Sequence, residues 1–150
     1  MHWPQHGIFS YHLRLVHIPA LYQGKAVHRN QLEQALMELE SELLHDHAMK
    51  VSLDGRLDIA GANDIDMQFT ALTATKKAAI VVDLSKVDFL ASIGIRLLLS
   101  NAKASSARGG KMVLLNPQPM VKEVLESSGV GSLIPVFEDE QAAYKAVRDL

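Results

Sequence analysis

The chain contains no cysteine among its 150 residues. A disulfide scaffold, a thiolate metal site and a cysteine nucleophile are therefore excluded. It has no apolar run near the roughly 20 residues that a membrane helix requires. No basic-then-apolar signal-peptide pattern opens it, which points to a cytoplasmic protein. No charge of one sign prevails: 15 Lys and Arg face 17 Asp and Glu, for a formal net charge of -2. Such a balance gives no general pull toward nucleic acid or an anionic membrane. Internal repeats, low-complexity tracts, a Gly-rich phosphate loop and a Gly-x-Ser-x-Gly nucleophile elbow are all missing. No cofactor is implied. What remains is 48% apolar and 21% charged residues, the composition of an ordinary globular domain.

The first 36 residues differ from the rest. They hold five of the seven His (His2, His6, His12, His17, His28) and the single Trp, Trp3. Arg14, Lys25 and Arg29 face one acid, Glu33. Residues 1–36 are expected to be a poorly structured leader, or upstream sequence translated ahead of a start at Met37. The domain proper is 37–150. The His spacings fit no ligand pair, and no metal site is assigned. At the junction, Asn30-Gln31-Leu32-Glu33 has the form of a capping box, and Leu32, Leu36, Leu39 and Leu43 follow a helical period. Met37 to Leu43 also alternates as a strand does. Periodicity alone does not decide.

Further on, Lys50–Leu53 reads as a strand stopped by a turn at Asp54-Gly55, and Arg56–Ile59 as a second extended piece. Asn63–Ala74 carries a helical stripe of Ile65, Phe69 and Leu72. Ala79–Leu84 has the continuous apolar character of a strand buried on both faces. A short loop with the anchors Phe89 and Leu90 then leads to a helix over Ser92–Arg108, stopped by Gly109-Gly110. Its inner stripe is Ile95, Leu98, Leu99 and Ala102; Ile93, Arg96, Ser100 and Lys103 fall outward. Lys111–Leu115 is another strand. Pro119 suits the first turn of a third helix that ends near Gly129. Ile134–Phe137 reads as a short edge strand. A terminal helix opens on Glu138-Asp139-Glu140 and buries Ala143, Val147 and Leu150. The fold class is α/β: one domain with a mixed, mostly parallel sheet of about five strands covered by about four helices.

Two small constellations lead nowhere. His45-x-His47 fits a turn better than a ligand pair. Asp83, at the end of a buried strand, has the place of a phosphate-accepting acid, but no acidic pair follows the first strand to hold Mg²⁺. Ser92 stands out more. A Ser that opens a helix is a preferred N-cap, and that structural role alone would account for it.

The segment Val82–Ile95 resembles the signature of STAS domains, the family of bacterial anti-sigma factor antagonists and of the cytoplasmic tails of sulfate transporters. The resemblance runs from about Glu38 to Leu150. It includes Leu53-x-Gly55-x-Leu57-Asp58, Gly109-Gly110-Lys111-Met112, and Pro119-x-Val121 through Ser128-Gly129. It implies that Glu38–Leu44 is a strand. It implies a binding module and no enzyme. The partner would be an anti-sigma factor with serine kinase activity that phosphorylates Ser92, and a serine phosphatase would reset it. The partner face would comprise Arg56, Asp58, Ser92, Ile93 and Arg96, with Ile93 an exposed anchor. One departure stands out: switching members usually carry Asp before that Ser, where this chain has Ala91, and Ser or Ala after it, where it has Ile93. Such a variant also suits another role seen among small STAS proteins, the accessory subunit of a membrane transport ATPase, which needs no phosphorylation.

Overall fold

In a computed structural model, residues 37–44, 47–75 and 77–148 are described. The expectations for residues 1–36, His45 and Leu150 lie outside them. Five strands form one sheet: β1 (Glu38–Leu43), β2 (Ala48–Leu57), β3 (Ala79–Leu90), β4 (Lys111–Leu115) and β5 (Val136–Phe137). Their spatial order equals their chain order, β1 antiparallel to β2 and the others parallel. Four α-helices lie among the described residues: α1 (Ile59–Thr73), α2 (Ser92–Ala107), α3 (Pro119–Ser127) and α4 (Glu140–Arg148). The mixed α/β architecture expected from the strand–helix alternation is the one found. The junction resolves in favour of strand period, since burying Met37 and Leu39 against α1 requires alternation.

The sheet has two unequal sides. One packs Val51, Leu53, Leu57, Ile80, Val82, Leu84, Met112 and Leu114 against the apolar stripes of α1, α2 and α3. The other packs Ala48, Val81, Val113 and Leu115 against Ala143 and Val147 of α4. Lys50 holds α4 to the sheet. Its Nζ lies 2.7 Å from Glu140 Oε1 and 3.6 Å from Asp83 Oδ2. Burial lowers the Lys50 pKa, but the Glu140 hydrogen bond and the charges of Glu140, Asp83 and Glu42 outweigh it and hold it above its ordinary value.

Several boundaries differ from the expectation. Asp54-Gly55 does not end a strand. β2 runs through it and stays paired with β3, with register shifts on either side, and Gly55 absorbs the irregularity at φ 123°. The dipeptide that signals a turn here makes a bulge. β3 likewise continues through Phe89 and Leu90, so the expected loop is strand. Asp83 therefore sits inside β3 rather than at its end. Its Oδ1 accepts the Ser85 N–H at 2.9 Å, and its other oxygen faces Lys50. That engagement agrees with setting the phosphate-acceptor reading aside. α1 begins four residues earlier than its apolar period suggests, because Asp58 and not Asn63 caps it. Gly109 and Gly129 take the left-handed conformation expected of them.

Candidate functional site

The parallel pairing of β2 with β3 brings two strand-to-helix junctions side by side. Arg56 pairs with Phe89 and Leu57 with Leu90 in the register. The Ala91 N–H then donates to the Leu57 carbonyl at 3.0 Å, one step beyond the ladder. Both chains turn into helices there, so the N-termini of α1 and α2 open at the same edge of the sheet.

The two ends are finished differently. At α1, Asp58 has the extended backbone of an N-cap, and its Oδ1 accepts the Gly61 N–H at 2.9 Å. Its Oδ2 stands 3.5 Å from Arg56 Nε, and the Arg56 guanidinium lies 4.3 Å over the Phe89 ring. At α2 the N-cap is Ala91, also extended (φ -96°, ψ 169°), which offers no side-chain bond to the first turn. Ser92 is the first helical residue. It is exposed, and no protein group among the described residues bonds its hydroxyl. The expected capping role is thus corrected: Ser92 lies one position too late to cap, and the position before it cannot. The first-turn N–H groups of α2 are left for another acceptor.

Gly94 allows this closeness. A Cβ there would stand 2.6 Å from Leu57 Cγ, 2.8 Å from the Leu57 carbonyl oxygen and 2.9 Å from Leu90 Cδ1. Only a residue without a side chain lets the first turn of α2 touch the end of β2.

Arg96 follows Ser92 by one turn and is exposed, as expected. Ile93 is not. It is half-buried, packs against the main core, and lines a groove between α1 and α2. The buried stripe of α2 is centred on Gly94, Leu97, Leu98, Asn101 and Ser105, about one residue around from the apolar count. That rotation turns Ile93 inward. Inside it, the Thr73 hydroxyl lies 2.8 Å from the Phe69 carbonyl and 3.0 Å from Asn101 Oδ1, and Asn101 Nδ2 donates to the Leu97 carbonyl at 2.8 Å. The large apolar side chain that does face solvent at this edge is Ile59, 67% exposed and next to the capping Asp58. Its place after a capping acid was the available signal. The structure therefore brings Arg56, Asp58, Ser92 and Arg96 to one edge, adds Ile59 and Phe89, and draws Ile93 inward.

The model of the STAS domain family matches residues 42–143. The chain belongs to the STAS domain family. Among its relatives is a protein of Bordetella bronchiseptica named as an anti-sigma factor antagonist, BtrV. It is 31% identical over 103 residues, 69% of this chain and 89% of that one. An anti-sigma factor antagonist from Mycobacterium paratuberculosis has the same fold, with a TM-score of 0.67 and 24% identity over 75% of this chain and 95% of its own. The Bacillus antagonist SpoIIAA has been solved unphosphorylated and phosphorylated. The two forms give TM-scores of 0.62 and 0.57 at 25% and 24% identity, over 75% and 73% of this chain and 97% and 99% of theirs. No helix among the described residues of this STAS chain is long and apolar enough to cross a membrane.

Proposed function

We propose that this STAS chain is an anti-sigma factor antagonist, a cytoplasmic binding module with no reaction of its own. It docks on an anti-sigma factor with serine kinase activity through the edge that carries Arg56, Asp58, Ile59, Ser92 and Arg96. The observation that carries the reading is the Ser92 hydroxyl, exposed and unbonded at the bare N-terminus of α2. The names of the relatives support the partner class, and the two solved forms of SpoIIAA support a phosphorylation switch.

The chemistry follows from the position. The partner would transfer the γ-phosphoryl group of ATP to Ser92 Oγ, releasing ADP, while a base of the partner takes the hydroxyl proton. A serine phosphatase would hydrolyse the ester with water, restoring the hydroxyl and releasing phosphate. A phosphoserine adds about -1.5 to -2 charges at neutral pH. The unsatisfied N–H groups and the positive end of the α2 dipole tolerate that charge, so the fold survives. The partner face does not tolerate it. The phosphate would lie within the interface, beside apolar Ile59 and Ile93, and desolvating it there without a partner cation is costly.

The test is phosphorylation by the cognate kinase-like partner with ATP, mapped by mass spectrometry, followed by a binding assay. Phosphate on Ser92 with loss of binding is expected. Ser92→Asp should fold and bind weakly. Ser92→Ala should bind, resist phosphorylation and keep wild-type stability, because the hydroxyl makes no bond to lose. Phosphate on Ser85 or Ser100 instead, or none at all, overturns the switch. Ala91, which leaves the cap without the acid usual in switching members, favours the other role in that event: an unphosphorylated accessory subunit of a transport ATPase.

A further inference from the structure

Charge is sorted along the chain in blocks. Between Phe89 and Lys122 there are five Lys and Arg and no acid. Between Leu57 and Thr75 there are three Asp and no base. The fold puts the two blocks on different helices. Helix α1 carries Asp64 and Asp66, helix α2 carries Arg96 and Lys103, and each has charge of one sign only.

The basic block runs beside an apolar groove of about 400 Å³, between α2 and the chain that leads from α3 to β5. Leu99, Ala102, Ala107 and Ile134 line it, Leu133 forms an exposed rim, and Lys103 stands in its wall. The α2 residues here share none with those that face α1 across the other groove, so this is the opposite flank of the helix. Arg108 caps the same helix end. Lys77 reaches it, with side-chain carbons 3.8 Å from the point a Gly109 Cβ would occupy, and the Lys111 N–H donates to the adjoining Ala78 carbonyl at 2.9 Å. Lys77, Lys103, Arg108 and Lys111 make no ion pair among the described residues. The last acid of α3, Glu126, acts on Lys122.

Met67 is the converse feature. It is 87% exposed, on the outer face of α1. Its helical neighbours Asn63, Asp64 and Ala71 are exposed too, and all are short. The thioether therefore stands clear of the surface, with a carboxylate one turn away. We propose that a second copy of this chain docks on the groove, its Met67 entering the slot and its Asp64 and Asp66 meeting Lys103 and Arg108. The opposite charges of the two surfaces support that occupant, as does the ease with which an unbranched thioether fills an irregular apolar gap. A nucleic acid would use the bases and leave the groove empty. An anionic bilayer would find one large exposed apolar side chain at this end, Leu133, where an interfacial surface needs a broad apolar face. Knob and groove are separate surfaces, so the contact is head-to-tail. Each docked copy leaves one knob and one groove free, and association continues to a ring or an open chain.

Sedimentation equilibrium of the full chain over a wide concentration range tests this. At about 0.1 M salt the mean mass should rise with concentration past that of two chains; at about 1 M, where the screening length falls from about 10 Å to about 3 Å, it should return toward one. Two variants separate the surfaces. Lys103→Glu with Arg108→Glu spoils the groove and keeps the knob. Asp64→Asn with Met67→Ser spoils the knob and keeps the groove. All four positions are exposed, so both variants should fold. Each alone should stay monomeric, and an equal mixture should form a complex of one copy of each and stop there. That complex also shows that both variants are folded. A wild type that stays monomeric at every concentration, a mass that levels off at two chains, or variants that form no complex when mixed would overturn the proposal. So would binding to vesicles of anionic phospholipid, lost in the Lys103 and Arg108 variant, in place of self-association. The measurement uses this chain alone, so its outcome does not depend on the proposed function.

Discussion

The Arg56 guanidinium covers the Phe89 ring at 4.3 Å, and the same two residues are cross-strand partners at the end of β2 and β3. The contact closes the sheet edge just where both strands give way to helices. It also fixes Arg56 within reach of Asp58, whose other oxygen caps α1. Phe89, Arg56, Asp58 and the Gly61 N–H thus form one chain of contacts, from the end of β3 to the first turn of α1. A partner that engages Arg56 engages a cation already held in place, which lowers the entropy lost on binding.

Asp58 is therefore a structural residue as well as a candidate contact. Asp58→Ala should cost about 1 kcal/mol, the usual value of an N-cap. Asp58→Asn should recover most of it, since Asn caps as well and the half-exposed pair with Arg56 is worth little. Urea unfolding midpoints at unchanged slope would check this. Equal loss in both variants would show that the ion pair, not the cap, carries the energy.

Gly94 should tolerate no side chain. In Gly94→Ala the new methyl meets the Leu57 carbonyl oxygen at 2.8 Å, and backbone cannot move aside as a side-chain tip can. Helix propensity alone would make this substitution favourable by about 1 kcal/mol. Overpacking opposes it by about 1–3 kcal/mol, so net destabilisation is expected. A variant as stable as the wild type would mean that α2 can lift off β2 freely. Binding measured on the same protein would then show whether the distance between the two helix N-termini matters to the partner.

The mixed, mostly parallel sheet and most helices were legible because apolar periods and Gly stops report burial and left-handed caps directly. Val130 behind Gly129 and Ala143 and Val147 on α4 are buried as their spacing implies. What the sequence concealed was local. Asp54-Gly55 has the same signature in a turn and in a bulge, and only pairing with β3 distinguishes them. Asp58 was hidden as a cap because Ile59, the residue after it, is exposed and breaks the apolar period. On α2 the buried stripe passes through Gly94, Asn101 and Ser105, which an apolar count ignores, and so its centre was misjudged and Ile93 placed outside. The motif around Ser92 located the site edge, but not which of its side chains face solvent.

Lys50 makes stability depend on alkaline pH. Its folded pKa lies above the ordinary 10.5, so its contribution is fully present below that value and is lost as pH rises through the folded pKa. Lys50→Met should therefore lower stability by a constant amount across neutral pH, and the gap to wild type should close above about pH 10.5. Unfolding at several pH values would show it. A gap that stayed constant as pH rose through that range would assign the effect to packing of the lysine stem and not to its charge.

Ile93 and Arg96 should separate folding from binding. Arg96 is exposed and makes no ion pair among the described residues, so Arg96→Asp should change stability by less than about 0.5 kcal/mol, as surface substitutions do. Ile93 packs against the core. Ile93→Asp places a carboxylate in that contact and should cost about 1–3 kcal/mol, the penalty for a poorly compensated polar group. The two variants should both bind the partner less tightly, for different reasons. Arg96→Asp reverses a charge at the interface and should act at full folded population. Ile93→Asp distorts the groove wall, and part of its loss should return at low temperature or in a stabilising osmolyte, where the folded population recovers. Thermal unfolding together with titration of the partner distinguishes them. If Arg96→Asp bound with wild-type affinity while Ile59→Asp did not, the partner face would be centred on the start of α1, and α2 would contribute Ser92 alone.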